Sequence, residues 1–168
     1  APEVTLNGEA FPNSETDDGV LWLVDAENRI ALGRTSSDRS PVRVIAGSFF
    51  SLYYAADSVG ESAPANRWAE LRADVGANDT VAVEAYWVEP TLEVDGEPAP
   101  GSEVDDAELW LVDPIAGDEA PLGVTSGSVG ANIIKGLYEL QYRAQNVGAA
   151  MPANTRATLD LLELDADF

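Results

Sequence analysis

The chain contains no cysteine and no histidine, and its 9 basic residues include a single lysine against 30 acidic residues. These absences exclude disulfides, zinc sites built on cysteine or histidine, cysteine nucleophiles and every catalytic relay that uses imidazole. A formal charge of -21 disfavours nucleic acid as a partner, because binding to phosphates needs clustered lysine and arginine. We therefore expect neither nucleic-acid binding nor enzymatic activity.

Long apolar runs are also missing. No stretch of about 18 apolar residues occurs, so the sequence predicts no transmembrane segment. The first residues, 1–4, lack the charged start and apolar core of a targeting peptide. Hydrophobic residues nevertheless make up 45% of the chain, which predicts a folded core in spite of the repulsion between carboxylates. The excess of carboxylates is typical of a solvated surface adapted to raised salt.

A displacement of about 88 residues aligns the chain with itself. It places residues 21–25 on 109–113, both reading Leu-Trp-Leu-Val-Asp, and residues 64–66 on 152–154, both reading Pro-Ala-Asn. About 26 of some 80 aligned positions are identical, against roughly 5 expected by chance for ordinary composition. Residues 32–33 align with 122–123 after a shift of two, which places a length change in the preceding loop. The sequence predicts an internal duplication with repeats at 1–88 and 89–168, and aligned residues are called matching residues below.

Short apolar segments, many of them with a period of two, are separated by Gly, Pro, Asn, Asp and Ser clusters at a spacing of about 8 to 12 residues. No segment has a sustained helical period, so we expect almost no helix. The fold class predicted is all-β, with two tandem antiparallel β-sandwich domains of immunoglobulin-like or prealbumin-like type. The strands expected are 20–25, 29–34, 42–46, 50–54, 68–74 and 81–88, with copies that include 108–113 and 138–142.

The order of the strand and turn motifs along the chain resembles that of a known family. A first strand ends in Asn7-Gly8 or Asp95-Gly96, a Leu-Trp-Leu-Val-Asp strand follows, and a Tyr-x-x-x-Tyr strand lies at 138–142. This order resembles the prealbumin-like sandwich of carboxypeptidase regulatory domains and the tandem repeats of predicted myxobacterial lipoproteins. The resemblance implies a bacterial, non-catalytic module of the periplasm, the cell surface or the secreted fraction, and it transfers no functional residue.

Acidic residues recur just before the Leu-Trp-Leu-Val-Asp strand in both repeats. Calcium takes roughly six to eight oxygen ligands, and a Glu-x-Asp-Asp loop could supply three of them. The alternative interpretation is a solvated turn in which aspartate binds backbone amides. Calcium is the only cofactor that the sequence suggests. The candidate metal ligands are Glu15, Asp17, Asp18, Glu103, Asp105 and Asp106.

Two aromatic residues occur in the first repeat only. Tyr53 and Trp68 match Gln141 and Arg156 in the second repeat, whereas Trp22 matches Trp110. Exposed flat rings can stack on a sugar, so Tyr53 and Trp68 are the candidate ligand-binding residues. Strand aromatics also serve as core residues, and this interpretation stays open beside the first.

These observations predict a non-enzymatic, extracytoplasmic structural or adhesion-type module that acts as a scaffold or spacer at the cell surface. The alternative is a calcium- or carbohydrate-binding module. The partners expected are a protein or a glycan at the cell surface, and the chain is expected to be a monomer or part of a longer repeat array.

Overall fold

A computed structural model describes residues 2–12, 14–37, 42–44, 49–99, 101–102, 104–148 and 150–165. The chain divides into two compact units, Ala1–Ala85 and Tyr86–Phe168. The division falls slightly before the predicted boundary between residues 88 and 89. Strands make up the regular structure of both units, and the described residues include no helix of the length and apolarity that a membrane crossing requires. The predicted all-β class is confirmed.

The described residues of the first unit form seven strands in two sheets. One sheet has the order β2-β1-β7 and the other the order β4-β3-β5-β6. Neighbouring strands are antiparallel except for β1 and β7, which run parallel. The strands are β1 (Glu3–Leu6), β2 (Glu9–Ala10), β3 (Asp18–Val24), β4 (Arg29–Arg34), β5 (Ser51–Ser58), β6 (Ala69–Arg72) and β7 (Thr80–Val83).

Both sheets of the first unit contribute alternate side chains to a core. Because successive residues of a strand point to opposite faces, β1, β3, β5 and β7 each place alternate apolar residues in the core. Complete burial of a Val or Leu side chain stabilises the fold by about 1.5–3 kcal/mol. This arrangement is compatible with a β-sandwich. The buried strand residues include Val4, Leu6, Leu21, Leu23, Leu52, Tyr54, Val81 and Val83.

The second unit is built around a four-stranded sheet of order β12-β11-β14-β15, accompanied by the pairs β10-β9 and β13-β8. Its sheet buries Leu109, Leu111 and Tyr142. Strand β8 begins at Ala85, the last residue of the first unit. The strands are β8 (Ala85–Val88), β9 (Glu93–Val94), β10 (Glu97–Pro98), β11 (Asp106–Val112), β12 (Glu119–Val124), β13 (Ala131–Ile134), β14 (Gly136–Asn146) and β15 (Ala157–Leu164).

The two four-stranded sheets have the same strand order and the same irregularities. The pairing of β3 with β4 shifts register between Leu21 and Trp22, and the pairing of β11 with β12 shifts between Leu109 and Trp110. Leu21 pairs with Tyr54 in one sheet, as Leu109 pairs with Tyr142 in the other. Because a bulge changes which face a side chain takes, bulges at matching positions keep the matching side chains on the same face.

A two-residue turn closes the first hairpin of each unit. Asn7 and Gly8 have φ values of 51° and 83°, and Asp95 and Gly96 have φ values of 55° and 83°. Positive φ at both central residues is the signature of a type I′ turn, which Asn-Gly and Asp-Gly favour. The turn residues therefore account for the sharp return of β1 into β2 and of β9 into β10.

Two of the predicted strands differ from the structure. Residues 42–44 do not form the strand expected at 42–46, and residues 45–46 lie outside the described part of the chain. The segment 81–88 is not one strand but two, divided at Glu84. The division has a topological cause, since β7 pairs with β1 whereas β8 pairs with β13.

Candidate functional site

The first of the repeated carboxylates, Asp17, binds the backbone of a loop. Its Oδ1 accepts the N–H groups of Gly60 at 3.0 Å and Ala63 at 2.7 Å, and its Oδ2 accepts that of Ser62 at 3.0 Å. A Cβ atom at Gly60 would lie 2.8 Å from the Asp17 carboxyl carbon, so glycine is needed for this close approach. Asp17 therefore fixes the loop that leads to β6.

The matching Asp105 occupies a comparable place in the second unit. It accepts the backbone N–H of Ala150 at 3.3 Å. A Cβ atom at Gly148, the residue that matches Gly60, would collide with the Asp105 carboxylate. In both units, a glycine lets the loop backbone approach the carboxylate.

The second repeated carboxylate is buried in both units. Asp18 is fully buried, and its Oδ2 accepts the Ser36 hydroxyl at 2.5 Å and Arg34 Nη1 at 3.3 Å. Asp106 accepts the Ser126 hydroxyl at 3.1 Å. These bonds join the start of β3 to the last residue of β4 and to Ser36 beyond it, and the start of β11 to Ser126, which follows β12.

The two buried carboxylates differ at their Oδ1 atoms. Asp106 Oδ1 accepts the backbone and side-chain N–H groups of Asn146 at 3.0 and 2.9 Å. Asp18 Oδ1 has no hydrogen-bond partner within the described part of the chain. Ser58 stands where the second unit has Asn146. The first unit thus lacks the amide that satisfies this oxygen in the second, and a buried unsatisfied acceptor costs about 1–3 kcal/mol.

The six candidate metal ligands are distributed as follows. Glu15 is exposed, Glu103 lies outside the described residues, and the aspartates at 17, 18, 105 and 106 accept the hydrogen bonds given above. Across the described ranges, no group of three or more acidic side chains converges as a metal site would require. Calcium binding by these loops stays a prediction.

The candidate ligand-binding residues of the first unit lie together. The Tyr53 and Trp68 rings stack with centroids 5.2 Å apart and an interplanar angle of 24°. Trp22 lies 6.0 Å from Trp68, and the Arg29 guanidinium lies 4.8 Å from the Trp68 ring. Tyr53 donates a hydrogen bond to Glu70 at 2.9 Å. We call Trp22, Tyr53 and Trp68 the aromatic cluster.

The aromatic cluster lies on the outer face of its sheet. Trp22 and Tyr53 are cross-strand partners, and they alternate with the buried Leu21, Leu23 and Tyr54. All three rings of the cluster are half-buried, so part of each remains accessible. Exposed aromatic faces of this kind can stack on a flat apolar surface such as that of a sugar ring.

The matching face of the second unit is polar. Trp110 is buried, with the Arg143 guanidinium 4.4 Å from its ring. Arg143 also forms an ion pair with Glu119 at 2.6 Å. Arg156, which matches Trp68, donates to Gln141 at 2.7 Å. Charged and amide groups therefore cover the position that the stacked rings occupy in the first unit.

An opening lies within the second unit. It is a groove of about 320 Å³ between the β9 hairpin and the edge of the four-stranded sheet. Its walls include Leu92, Val94 and Asp95 of the hairpin, with Tyr142 and Leu159 of the sheet. Leu159 is 45% exposed. We call this opening the second-unit groove.

The matching region of the first unit is filled. The Phe11 ring lies 5.5 Å from the Tyr54 ring, whereas Ala99 matches Phe11 in the second unit. Strand β7 covers β1 and buries Val81 and Val83. The second-unit groove therefore borders the tyrosine that matches Tyr54, against which the Phe11 ring packs in the first unit.

The tyrosines of these two regions make the same bond. Tyr54 donates its hydroxyl to the Pro64 carbonyl at 2.9 Å, and Tyr142 donates to the Pro152 carbonyl at 2.6 Å. Burial raises the pKa of Tyr54 well above its ordinary value, and the charge of Asp17 adds to the effect. Burial also raises the pKa of Tyr142. Both hydroxyls therefore stay protonated and remain donors at neutral pH.

Sequence reasoning did not find the second-unit groove. The signal was present in the replacement of Phe11 by Ala99, which removes a large ring from a core position. Comparison of the chain with protein-family models, with curated proteins and with solved structures finds no match. Function is therefore inferred from the repeated carboxylates, the aromatic cluster and the second-unit groove.

Proposed function

We propose that the chain is an internally duplicated pair of β-sandwich domains of prealbumin-like type that acts as a non-enzymatic structural or adhesion-type module. Support comes from the identities at matching positions and from sheets whose strand order and bulges agree. The setting proposed is the bacterial periplasm, the cell surface or the secreted fraction, including attachment as a lipoprotein. The role is that of a scaffold or spacer, as a monomer or within a longer array of repeats.

The observation that carries this proposal is the use made of the repeated acidic residues. Asp17 binds three backbone amides, and Asp18 and Asp106 bind serine hydroxyls that follow the next strand. Carboxylates engaged in this way hold loops in place and are not presented to a substrate. The chemistry common to the two units is thus the chemistry of a stable framework.

Thermal unfolding in calcium and in sodium tests the framework role against the calcium-binding alternative. A ligand that binds only the folded state raises the melting temperature. For a framework held by its own donors, millimolar calcium is expected to give the same melting temperature as sodium of equal ionic strength. A calcium-specific rise that Asp17→Asn or Asp105→Asn abolishes would favour the metal-binding alternative.

Fractionation of a producing bacterium tests the proposed compartment. The protein is expected in the periplasmic, surface-attached or secreted fraction, detected with an antibody against the chain. A strictly cytoplasmic marker protein serves as the control for lysis. Recovery of the chain with that marker, in intact cells resistant to added protease, would contradict the extracytoplasmic role.

Carbohydrate binding at the aromatic cluster is the second candidate function, favoured by three half-exposed rings with Arg29 and Glu70 beside them. Screening on a glycan array tests it. If a glycan binds by stacking on the aromatic cluster, Trp68→Ala is expected to abolish its binding. Gln141→Ala, on the matching face of the second unit, is the control and is expected to retain binding. Binding unaffected by Trp68→Ala would place the glycan elsewhere.

A further inference from the structure

The hairpin loop between β11 and β12 presents an apolar tip to solvent. Residues 114–117 read Pro-Ile-Ala-Gly, and all four are exposed. Ile115 is 90% exposed, more than any other large hydrophobic side chain of the described residues. An apolar side chain left in water does not stabilise its own unit, whereas contact with a partner removes it from water. We call residues 114–117 the hairpin tip.

The hairpin tip has a well-defined backbone. Asp113 Oδ1 accepts the N–H groups of Ile115 at 2.7 Å and Ala116 at 2.8 Å. The Asp113 carbonyl accepts the Gly117 N–H at 2.9 Å, and Gly117 has a φ of 72°, which glycine adopts without strain. Ile115 is therefore presented from an ordered loop, so a partner that binds it loses little affinity to the cost of ordering that loop.

The matching loop of the first unit has the same kind of turn but a polar tip. Asp25, which matches Asp113, accepts the N–H groups of Glu27 at 2.8 Å and Asn28 at 2.6 Å. Four residues separate β3 from β4, whereas six separate β11 from β12. The turn itself therefore needs neither the two extra residues nor the isoleucine.

The outer faces of the two four-stranded sheets differ in the complementary way. In the second unit, the cross-strand partners Glu108 and Arg143 lie on this face, and Glu108 accepts the Trp110 indole N–H at 2.9 Å. In the first unit, the matching partners are Val20 and Ala55, beside the aromatic cluster. One unit thus has an apolar face, and the other unit has an apolar tip.

The charges beside these two surfaces are opposite. Arg29 is exposed, with its guanidinium 4.8 Å from the Trp68 ring, and Asp113 lies at the base of the hairpin tip. Neither of them forms an ion pair within the described part of the chain. Glu70, also beside the cluster, accepts the Tyr53 hydroxyl. Contact of a tip with a cluster brings opposite charges together, whereas contact of two tips or two clusters brings like charges together.

We propose that the hairpin tip of one copy of the chain binds the aromatic cluster of a second copy. Ile115 is the apolar anchor of this contact, and Trp68 is part of the surface that receives it. Because the two surfaces are different, the contact is heterologous and repeats from copy to copy, in a ring or in a filament. The inference rests on the proposed scaffold role and duplication, to which it adds the way in which copies meet.

Analytical ultracentrifugation of the full chain over a range of concentrations tests the proposal. One loop on one cluster is a small contact, so weak association is expected. Raised salt is used because it screens the repulsion between chains of charge -21. The sedimentation coefficient of the parent is expected to rise with concentration. Ile115→Asp and Trp68→Ala are each expected to weaken the association by more than about tenfold, because each removes an apolar group from the contact.

Two matched variants control for charge and for loss of a side chain. Ala26→Asp adds the same charge to the matching loop of the first unit, and Arg156→Ala truncates the residue that matches Trp68. Both are expected to associate as the parent does. Circular dichroism reports whether each variant is folded.

A mixture of the two contact variants gives the sharpest test. Ile115→Asp retains the aromatic cluster, and Trp68→Ala retains the hairpin tip. An equal mixture is therefore expected to form dimers and nothing larger, although each variant alone stays monomeric. An unfolded variant could not produce this recovery.

Three outcomes would overturn the proposal. They are a parent that stays monomeric at every concentration, an association that Ile115→Asp leaves unchanged, and a mixture of the two variants that forms no dimer. The second outcome would indicate an isologous contact that does not use the hairpin tip. None of the three would refute the framework role, which is tested separately by calcium and by fractionation.

Discussion

Tyr54 and Tyr142 occupy matching places on matching strands, yet their surroundings differ. Tyr54 is enclosed by Phe11 and by the sheet that includes β7, whereas Tyr142 lines an open groove. A Cβ atom at Gly19 would collide with the Tyr54 ring, and the second unit has Ala107 at the position of Gly19. The Tyr142 ring must therefore lie differently on its strands. The four-stranded sheet therefore forms both where its tyrosine is enclosed, as in the first unit, and where the tyrosine borders a groove, as in the second.

On the outer faces of the two four-stranded sheets, the first unit has the more accessible apolar surface, whereas around the tyrosines the second unit is the more open. The first unit exposes stacked rings, whereas the second covers Trp110 with Arg143 and its partner Glu119. In the first unit, the accessible apolar surface is the aromatic cluster on the outer face of the four-stranded sheet. In the second unit, it is the groove beside Tyr142 on the opposite face of the matching sheet. The carboxylates that hold the loops are common to both units. Framework contacts are therefore shared, and potential binding surfaces are not.

Removal of the Tyr54 and Tyr142 rings is expected to give the largest difference in destabilisation between the two units. Tyr54→Ala should destabilise the first unit by about 3–5 kcal/mol, because it leaves a cavity in a closed core. Tyr142→Ala should cost the second unit less, since its ring borders an opening already. Hydrogen exchange with mass spectrometry measures local unfolding at β5 and β14 separately. Equal losses in the two units would show that the groove is closed in solution.

Removal of a loop-binding carboxylate should have the next largest effect. Asp17→Ala is expected to destabilise the first unit by about 2 kcal/mol, since the side chain accepts three backbone N–H groups. Asp105→Ala is expected to cost less, because the described bond to Ala150 is longer, at 3.3 Å. Chemical denaturation of both variants gives the difference. A larger loss for Asp105→Ala would contradict the interpretation that Asp17 holds its loop more firmly.

The smallest effect concerns the tyrosine hydroxyls. Tyr54→Phe should cost about 1 kcal/mol at neutral pH, the value of one buried hydrogen bond to the Pro64 carbonyl. Because folding raises the pKa of Tyr54, its contribution is fully present below the ordinary tyrosine pKa of about 10 and falls as the pH rises above that value. Tyr54→Phe should therefore lose stability less steeply than the parent in alkali.

Tyr142→Phe provides the matched control for this prediction. Its hydroxyl bonds Pro152, and the charge of one aspartate, Asp106, adds to the effect of burial on its pKa, whereas Asp17 and Asp18 both act on Tyr54. The alkaline slope is therefore expected to change less than in Tyr54→Phe. Denaturation at several pH values, together with the ultraviolet absorbance of tyrosinate, measures both quantities. An alkaline slope unchanged by Tyr54→Phe would mean that another group controls it.

Alternation and turn residues were sufficient to predict much of the local structure. The strand expected at 29–34 agrees with β4, and the turns at Asn7-Gly8 and Asp95-Gly96 have the positive φ values that hairpins favour. These features depend on neighbours in the chain. The separation of β7 from β8 was not predictable in this way, because it depends on which distant strand each one pairs with.

The candidate sites were less accessible to prediction from the sequence. Tyr53 stacks on Trp68, which lies just before β6, and this contact between residues of different strands has no signal in the residues themselves. The burial of Asp18 was hidden as well, since the adjacent Asp17 looks identical in sequence but faces a loop. The second-unit groove lies where matching residues differ, so an alignment that counts only identical matching residues does not reveal it.

The turn at Asn7-Gly8 is also a site at which the chain can change chemically with time. Asparagine followed by glycine is prone to deamidation, in which the amide is lost and a carboxylate forms. The backbone nitrogen of Gly8 displaces ammonia to form a cyclic imide, and water opens the imide to isoaspartate or to aspartate. The aspartate product has the Asp-Gly turn already present at Asp95-Gly96. The new carboxylate could still accept the Ala85 N–H, but it could no longer donate to the Ala85 carbonyl. Each Asn7 that becomes aspartate would thus give the hairpin of the first unit the hydrogen-bonding groups of the second.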